Sequence, residues 1–126
     1  MPEYYQESFA VGKSEMLEFA QISGDYNPLH LDADYSISQG FRDSIVYGAL
    51  VISRISGIIA SKFPGPGTVI GSINWKFIAP IYVNQMLIVK MKLNYSESRK
   101  KLLDLEIFNN LGELVQEAQL TLFIKK

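Results

Sequence analysis

The chain has 126 residues, of which 48% are hydrophobic and 20% are charged, and this ordinary composition predicts one globular domain spanning 1–126. It contains no cysteine and a single histidine, which excludes disulfides, thiolate metal sites and histidine-rich zinc sites within one chain. A net charge of -1 without a basic stripe argues against a nucleic-acid partner, and the lack of a signal-peptide pattern or of about 20 consecutive apolar residues predicts a cytoplasmic protein without membrane association.

The first two elements expected along the chain are a strand and an amphipathic helix. Residues 7–12, ESFAVG, predict a short strand. Residues 13–23 predict a helix, because four residues at helical spacing share one face: Met16, Phe19, Ala20 and Ser23. Gly24 follows directly and is typical of a residue that ends a helix.

The next segment combines a turn with a second short helix. Residues 25–31 predict a turn, because Pro28 has a fixed φ and disfavours the helical region for the residue before it. Asp32 is a typical N-cap, and the helix that it begins is expected to stop at Gly40.

Residues 48–62 predict the longest helix, which FPGPG ends at 63–67. This helix is apolar nearly all round, as is typical of a buried helix, and its apolar residues are Ala49, Leu50, Val51, Ile52, Ile55, Ile58 and Ile59. Small residues form a stripe that lets another backbone come close: Ser53, Ser56, Gly57 and Ala60. The sequence leaves open whether this stripe faces the chain's own sheet or a partner.

The chain after residue 67 alternates between apolar and polar residues with the period of a strand. Four sets of same-face residues predict four strands: Ile73, Trp75 and Phe77; Leu87, Val89, Met91, Leu93 and Tyr95; Leu103, Leu105 and Ile107; Leu120, Leu122 and Ile124. NNLGE at 109–113 predicts a hairpin turn. A strand, then helices, then four antiparallel strands predict an α+β protein, in which a curved antiparallel sheet wraps around one long central helix. This arrangement is called the hot-dog fold.

The sequence SGDYNPLHLD, residues 23–32, contains the chain's single histidine, His30. An extended chain would separate Asp25 from His30 by up to ~17 Å, but a turn at Asn27 and Pro28 would bring both side chains to one side. A carboxylate and an imidazole that hold one water form an acid–base unit, because imidazole titrates near neutral pH. The pattern alone fits equally a surface or packing histidine and an aspartate at a helix end.

Three longer segments resemble the MaoC-like hydratases, and more narrowly the single-domain (R)-specific enoyl-CoA hydratases. They are FAQISGDYNPLHLD, FRDSIVYGALVISRISG and FPGPGTVIGSINWKFIAPIYV, and the resemblance covers about residues 9–95. SGDYNPLHLD is its most specific part, since the first Asp, the Asn-Pro pair, the His and the second Asp all match in spacing.

The resemblance implies a hot-dog homodimer that adds water across the double bond of a trans-2-enoyl thioester, or runs the reverse dehydration of the (R)-3-hydroxyacyl thioester. Asp25 and His30 would hold the attacking water between them. The acyl carrier would be coenzyme A or acyl carrier protein, whose phosphopantetheine is part of the substrate. No metal or redox cofactor is expected.

The same resemblance assigns residues beside the pair. Gly48 matches a glycine whose backbone N–H polarises the thioester carbonyl. The start of a long helix suits this task, because its N–H groups lack partners and its dipole favours negative charge. A helix start without any ligand is the alternative for Gly48. The residues expected to contact the substrate are Asn27, Tyr47, Ser56 and Trp75.

Two positions depart from the family pattern. Tyr47 stands where the family commonly has His, and Asn84 with Gln85 replaces the usual Gly-Asp. The backbone N–H of Gly48 survives the first change, so activity is still expected, with an altered substrate range. The second departure predicts a strand-to-strand turn.

Three other functions fit the same fold. A hot-dog acyl thioesterase would direct water at the carbonyl, a dehydratase would act on carrier-bound intermediates, and a non-catalytic partner would lend its sheet to an active homologue. The Asn-Pro-x-His context favours the hydratase over the thioesterase, and the intact Asp25 and His30 argue against the non-catalytic partner. The open edges of one small sheet favour a C2 dimer. Acyl length, carrier, direction and pathway stay undetermined by the sequence.

Overall fold

A computed structural model describes residues 2–95 and 99–124 of the chain. Within these residues the chain forms a five-stranded antiparallel sheet and four helices. In chain order the elements are β1 (Glu3–Phe9), α1 (Lys13–Ser23), α2 (Pro28–Leu31), α3 (Ala33–Ser38), α4 (Gly48–Ser61), β2 (Thr68–Phe77), β3 (Leu87–Tyr95), β4 (Lys100–Phe108) and β5 (Leu114–Ile124). The domain predicted over 1–126 includes positions outside the described residues, and its boundaries stay a prediction.

The hydrophobic core lies between α4 and one face of the sheet. α4 buries Leu50, Val51, Ile55, Ile58 and Ile59. Alternate residues of β3, β4 and β5 are buried with them: Leu87, Val89, Met91, Leu93, Leu103, Leu105, Ile107, Ala118, Leu120 and Leu122. The predicted α+β architecture is confirmed, because the alternation places every second side chain of these strands on the helix side. The side chain of Tyr95 lies outside the described part.

β2 is an edge strand, since the sheet order is β1-β3-β4-β5-β2. The predicted face of Ile73, Trp75 and Phe77 is present, but Ile73 is 45% exposed and Phe77 57%. A single neighbouring strand covers β2 on one side only, which explains an exposure that the alternation of the sequence did not predict.

The small-residue stripe on α4 is mostly exposed, and its Ser53 and Ser56 border a cavity between α4 and β2. Ser53, Gly57 and Ala60 are exposed and Ser56 is half-buried. Two of its four residues, Ser53 and Ser56, therefore face β2 across this cavity, whereas Gly57 and Ala60 are open to solvent. Among the described helices, none has both the length and the apolarity to cross a membrane.

The predicted first strand is wrong in position. The sequence places it at 7–12, whereas β1 pairs with β3 from Glu3 to Phe9. The chain leaves the sheet after Phe9 because Gly12 is the N-cap of α1, and its backbone N–H donates a hydrogen bond to Oε1 of Glu15 (3.0 Å). α1 itself has the predicted bounds, and Gly24 ends it with φ 76°.

The predicted turn at 25–31 is partly wrong, because Pro28 begins α2. Proline suits the first position of a helix, where no N–H is needed, and Asn27 caps it. Asp32 caps α3 as predicted, but the helix ends at Ser38, before Gly40. The predicted hairpin is confirmed, with Asn109 Oδ1 accepting from the amides of the turn.

Candidate active site

A chain of side-chain to backbone hydrogen bonds shapes the segment that contains Asp25. The amide of Asp25 donates to Ser23 Oγ (3.1 Å), the amide of Asn27 donates to Asp25 Oδ1 (3.0 Å), and the amide of Leu29 donates to Asn27 Oδ1 (3.0 Å). Short polar side chains of this kind fold the backbone over two residues at a time. The carboxylate of Asp25 is exposed but anchored at one oxygen.

His30 is half-buried at the middle of α2, and a backbone carbonyl fixes its imidazole. Its Nδ1 lies 2.7 Å from the carbonyl oxygen of Ile45. Since a carbonyl can only accept, Nδ1 carries a proton and donates it, which leaves Nε2 as the ring nitrogen that faces away from this contact. Ile45 is itself held in place, because its amide donates to the carbonyl of Leu29 (2.9 Å) and Val46 donates to Ile81 (2.7 Å).

Tyr47 connects the aspartate segment to the histidine. Its hydroxyl donates to the backbone carbonyl of Asp25 (2.6 Å), and its ring stacks on His30 with the centroids 4.1 Å apart. The side chain is 2% exposed. Burial, followed by the negative charge of Asp25, raises the pKa of Tyr47, so the hydroxyl stays protonated and keeps donating. The structure thus places Tyr47 in contact with both residues, and the predicted contact of Tyr47 with substrate stays a prediction.

His30 and Gly48 line one cavity of about 450 Å³. Its other walls are mainly apolar, formed by Ile45, Val46, Phe77, Ile78, Ala79, Pro80 and Ile81. Asp25 is not among the residues that line it, and its link to the cavity runs through Tyr47. The structure therefore brings Asp25 and His30 to a common neighbour, and the shared water stays a prediction.

Gly48 is the first residue of α4, and Tyr47 is the N-cap. Within residues 2–95 and 99–124, no acceptor meets the Gly48 amide, as expected for the first turn of a helix. A Cβ at this position would lie 2.6 Å from Cε1 of Phe77. Glycine therefore lets the Phe77 ring pack directly on the helix start, and it also leaves the backbone open to a ligand if that exposed ring moves aside.

Ser56 and Trp75 lie in a second cavity, of about 500 Å³, between α4 and β2. Its remaining walls are almost all aliphatic, formed by Ile52, Ser53, Ile55, Ile70, Ile73 and Leu120. Asn27, by contrast, is exposed, and its side chain is used in capping α2. The residues predicted to contact substrate thus fall into separate places, of which the Ser56 and Trp75 cavity suits an acyl chain.

Gln116 is a polar residue of the first cavity that is absent from the site residues predicted from the sequence. It is 4% exposed and accepts a hydrogen bond from Trp75, with 2.8 Å between Nε1 and Oε1. The signal was present, because Gln116 occupies an inward position of β5 in step with Ala118 and Leu120. A polar residue on the apolar face of a strand is worth explaining wherever it occurs.

Comparison with known proteins gives concordant results. A family model described as MaoC like domain matches residues 2–111. The (R)-specific enoyl-CoA hydratase of Aeromonas caviae is 30% identical over 105 residues, which are 82% of this chain and 78% of that protein. The mitochondrial 3-hydroxyacyl acyl-carrier-protein dehydratase of Arabidopsis thaliana is 29% identical over 114 residues, 87% of this chain and 68% of that protein.

Among solved structures, the R-hydratase PhaJ1 from Pseudomonas aeruginosa has a TM-score of 0.92 to this chain at 26% identity. The match covers 100% of this chain and 82% of that one. The resemblance therefore extends beyond the central motif to the whole described fold.

Proposed function

The chain belongs to the MaoC-like domain family, and we propose that it is a hydro-lyase, which catalyses the (R)-specific hydration of trans-2-enoyl thioesters and the reverse dehydration. The observation that carries this proposal is the placement of His30 and Gly48 on one cavity. Among residues 2–95 and 99–124, neither Nε2 of His30 nor the backbone N–H of Gly48 has a hydrogen-bond partner.

In the hydration direction, Asp25 and His30 orient one water for attack on C3 of the enoyl group. Nε2 of His30 takes a proton from this water as the hydroxyl bonds to C3, and the imidazolium returns the proton to C2 from the same side. Negative charge develops on the thioester oxygen during the attack. The amide of Gly48 stabilises that charge, which is the task of an oxyanion donor.

The acyl chain lies along the mainly apolar cavity between α4 and β2, with Ser56 and Trp75 in its wall. The head group is coenzyme A or the phosphopantetheine of an acyl carrier protein, and both carriers occur in the names of relatives. Water addition of this kind is acid–base chemistry, so the proposal includes no metal or redox cofactor. Full activity after dialysis against a chelator is the expected result.

The proposal includes a homodimer. β2 is an edge strand, and it exposes Val69 (60%), Ile73 and Phe77. An exposed apolar edge beside the small residues of α4 favours pairing with a second copy. The cytoplasmic location expected from the sequence stays a prediction, which cell fractionation would test.

The enoyl absorbance of trans-2-enoyl-CoA substrates tests the activity directly, and it should fall on addition of the protein. Asp25→Asn keeps an oxygen to accept the Asn27 amide but removes the charge, so kcat should fall by about 100-fold or more without a loss of fold. Asp34→Asn, on the exposed side of α3, is the matched control. Full activity of Asp25→Asn would contradict the assigned role.

The same assay separates the rival functions. Release of free thiol without loss of the enoyl group through hydration would identify a thioesterase. Preference for a carrier-protein substrate over coenzyme A would identify a dehydratase of carrier-bound intermediates. A purified, folded protein with neither activity at any chain length would be a non-catalytic partner.

A further inference from the structure

Gln116 introduces an amide into a cavity wall that is otherwise mainly apolar. It is 4% exposed, and it lines the same cavity as His30 and Gly48. Phe77 places Gln116 close to Gly48, because Phe77 is the register partner of Gln116 on β2 and its ring packs on the glycine. Gln116 of β5 and Gly48 of α4 are thus both neighbours of Phe77.

The orientation of this amide is fixed by Trp75. The indole Nε1 is a donor only, so the atom that it meets at 2.8 Å is the oxygen of Gln116, and the NH₂ group occupies the other position. Among the described residues, the NH₂ group of Gln116 has no hydrogen-bond partner. Every fully buried side-chain nitrogen or oxygen in this part of the chain does have one, so this nitrogen is not fully buried. The nitrogen therefore reaches open space, and the cavity is the space that Gln116 borders.

A buried donor that faces a cavity without a protein acceptor is costly unless a ligand supplies the acceptor. The substrate class of the proposed function has its oxygen at the reacting end, next to the bond that is hydrated. The acyl chain offers no hydrogen-bond acceptor. The cavity proposed for it lies farther along α4, and Gln116 is not part of its wall. The acceptor that matches this donor is consequently the oxygen of the thioester.

We propose that the side-chain amide of Gln116 is a second hydrogen-bond donor to the thioester oxygen, beside the backbone N–H of Gly48. This inference rests on the proposed hydratase function. Trp75 acts as a positioning residue, since its indole N–H turns the NH₂ group of Gln116 toward the cavity. The hydrogen bonds from the two donors strengthen as the thioester oxygen gains negative charge. They therefore stabilise the transition state more than the bound substrate.

The test uses Gln116→Met, which keeps the length of the side chain and removes the donor. We expect kcat on trans-2-butenoyl-CoA to fall by about 10- to 100-fold, with a smaller change in KM. Gln119→Met is the matched control, because Gln119 is exposed on the opposite face of the same strand, and its kcat should equal that of the wild type.

Calorimetric binding provides a readout that does not require turnover. The wild type should bind butanoyl-CoA more tightly than S-butyl-CoA, a thioether that lacks the carbonyl. The ratio of the two affinities should shrink by about fivefold in Gln116→Met, since one hydrogen bond to the carbonyl is lost. The control variant should keep the wild-type ratio.

The results distinguish failure of the Gln116 role from failure of the hydratase function. An unchanged kcat or an unchanged affinity ratio in folded Gln116→Met overturns the role of Gln116 and leaves the hydratase function intact. A wild type without hydratase activity overturns the proposed function and, with it, this inference. If Gln116→Met does not fold, kcat and the affinity ratio of the double variant Trp75→Phe/Gln116→Leu are compared with those of Trp75→Phe. The double variant removes both partners of the hydrogen bond and so leaves no unpaired polar group.

Discussion

The ring of Tyr47 stacks on the imidazole of His30 with an interplanar angle of 29°, while its hydroxyl binds the backbone carbonyl of Asp25. One buried side chain therefore contacts both members of the proposed acid–base pair. This arrangement gives a physical role to a residue that departs from the family pattern. It also predicts that the ring and the hydroxyl of Tyr47 are separable in their effects.

Tyr47→Phe removes the hydrogen bond to Asp25 and keeps the stacking on His30. The free energy of unfolding should fall by about 1 kcal/mol, because one part-buried hydrogen bond is lost and the carbonyl is left without this donor. The rate should fall too, since the segment that holds Asp25 loses its anchor. Urea denaturation and kcat measure the two effects. Tyr4→Phe, at a residue 71% exposed, is the control, and equal behaviour of the two variants would contradict the role of Tyr47.

Gly48→Ala tests the packing of Phe77 on the helix start. A Cβ at 2.6 Å from the ring must displace it, so the variant should lose about 1 kcal/mol of stability. In a Phe77→Ala background the same change should cost almost nothing, because the obstructing ring is gone. A double-mutant cycle by urea denaturation measures this coupling. Equal costs in both backgrounds would show that Phe77 is not the reason for the glycine.

Glu7 predicts a dependence of stability on acid pH. Hydrogen bonds from Lys62 and then Tyr5 lower the pKa of Glu7 below its ordinary value of 4.5. Its contribution is complete above that value and is lost as the pH falls through the lowered pKa, because the unfolded state takes up the proton first. The wild type should therefore be more stable than Glu7→Gln at neutral pH, with the two urea midpoints converging in acid. Glu18→Gln, on the exposed face of α1, is the control, and the difference between its urea midpoint and that of the wild type should not change in this way with pH.

Ile73→Lys tests the proposed dimer. A charge on the exposed apolar edge strand should oppose pairing of two copies, so the mass in solution should fall from twice the chain's 14.2 kDa to that of one chain. Sedimentation equilibrium measures it. Ile37→Lys, at a residue 52% exposed on α3, should leave the mass unchanged. A wild type that sediments as one chain would remove the dimer from the proposal.

Local patterns were sufficient for most of the fold. The apolar periodicity of α4 and the alternation in β3, β4 and β5 each depend on residues close in sequence, and the structure reproduces them. The wrong predictions concern segments whose structure is not determined by a local sequence pattern. The predicted position of β1 is wrong because its pairing with β3 joins residues about 80 to 90 positions apart and leaves no local trace. α2 is predicted as a turn because one turn of helix is too short for a periodicity.

By itself, the sequence determined that a carboxylate and the single histidine stand on either side of an Asn-Pro pair, ahead of a long apolar helix that starts with glycine. Only the tertiary structure decided which nitrogen of His30 donates to a carbonyl, that Tyr47 contacts both Asp25 and His30, and that Gln116 lines the same cavity as Gly48. Each of these depends on a partner from a distant segment, the carbonyl of Ile45, the carbonyl of Asp25 or the indole of Trp75. Hydrogen-bond direction and burial are properties of such pairs, and spacing along one chain does not contain them.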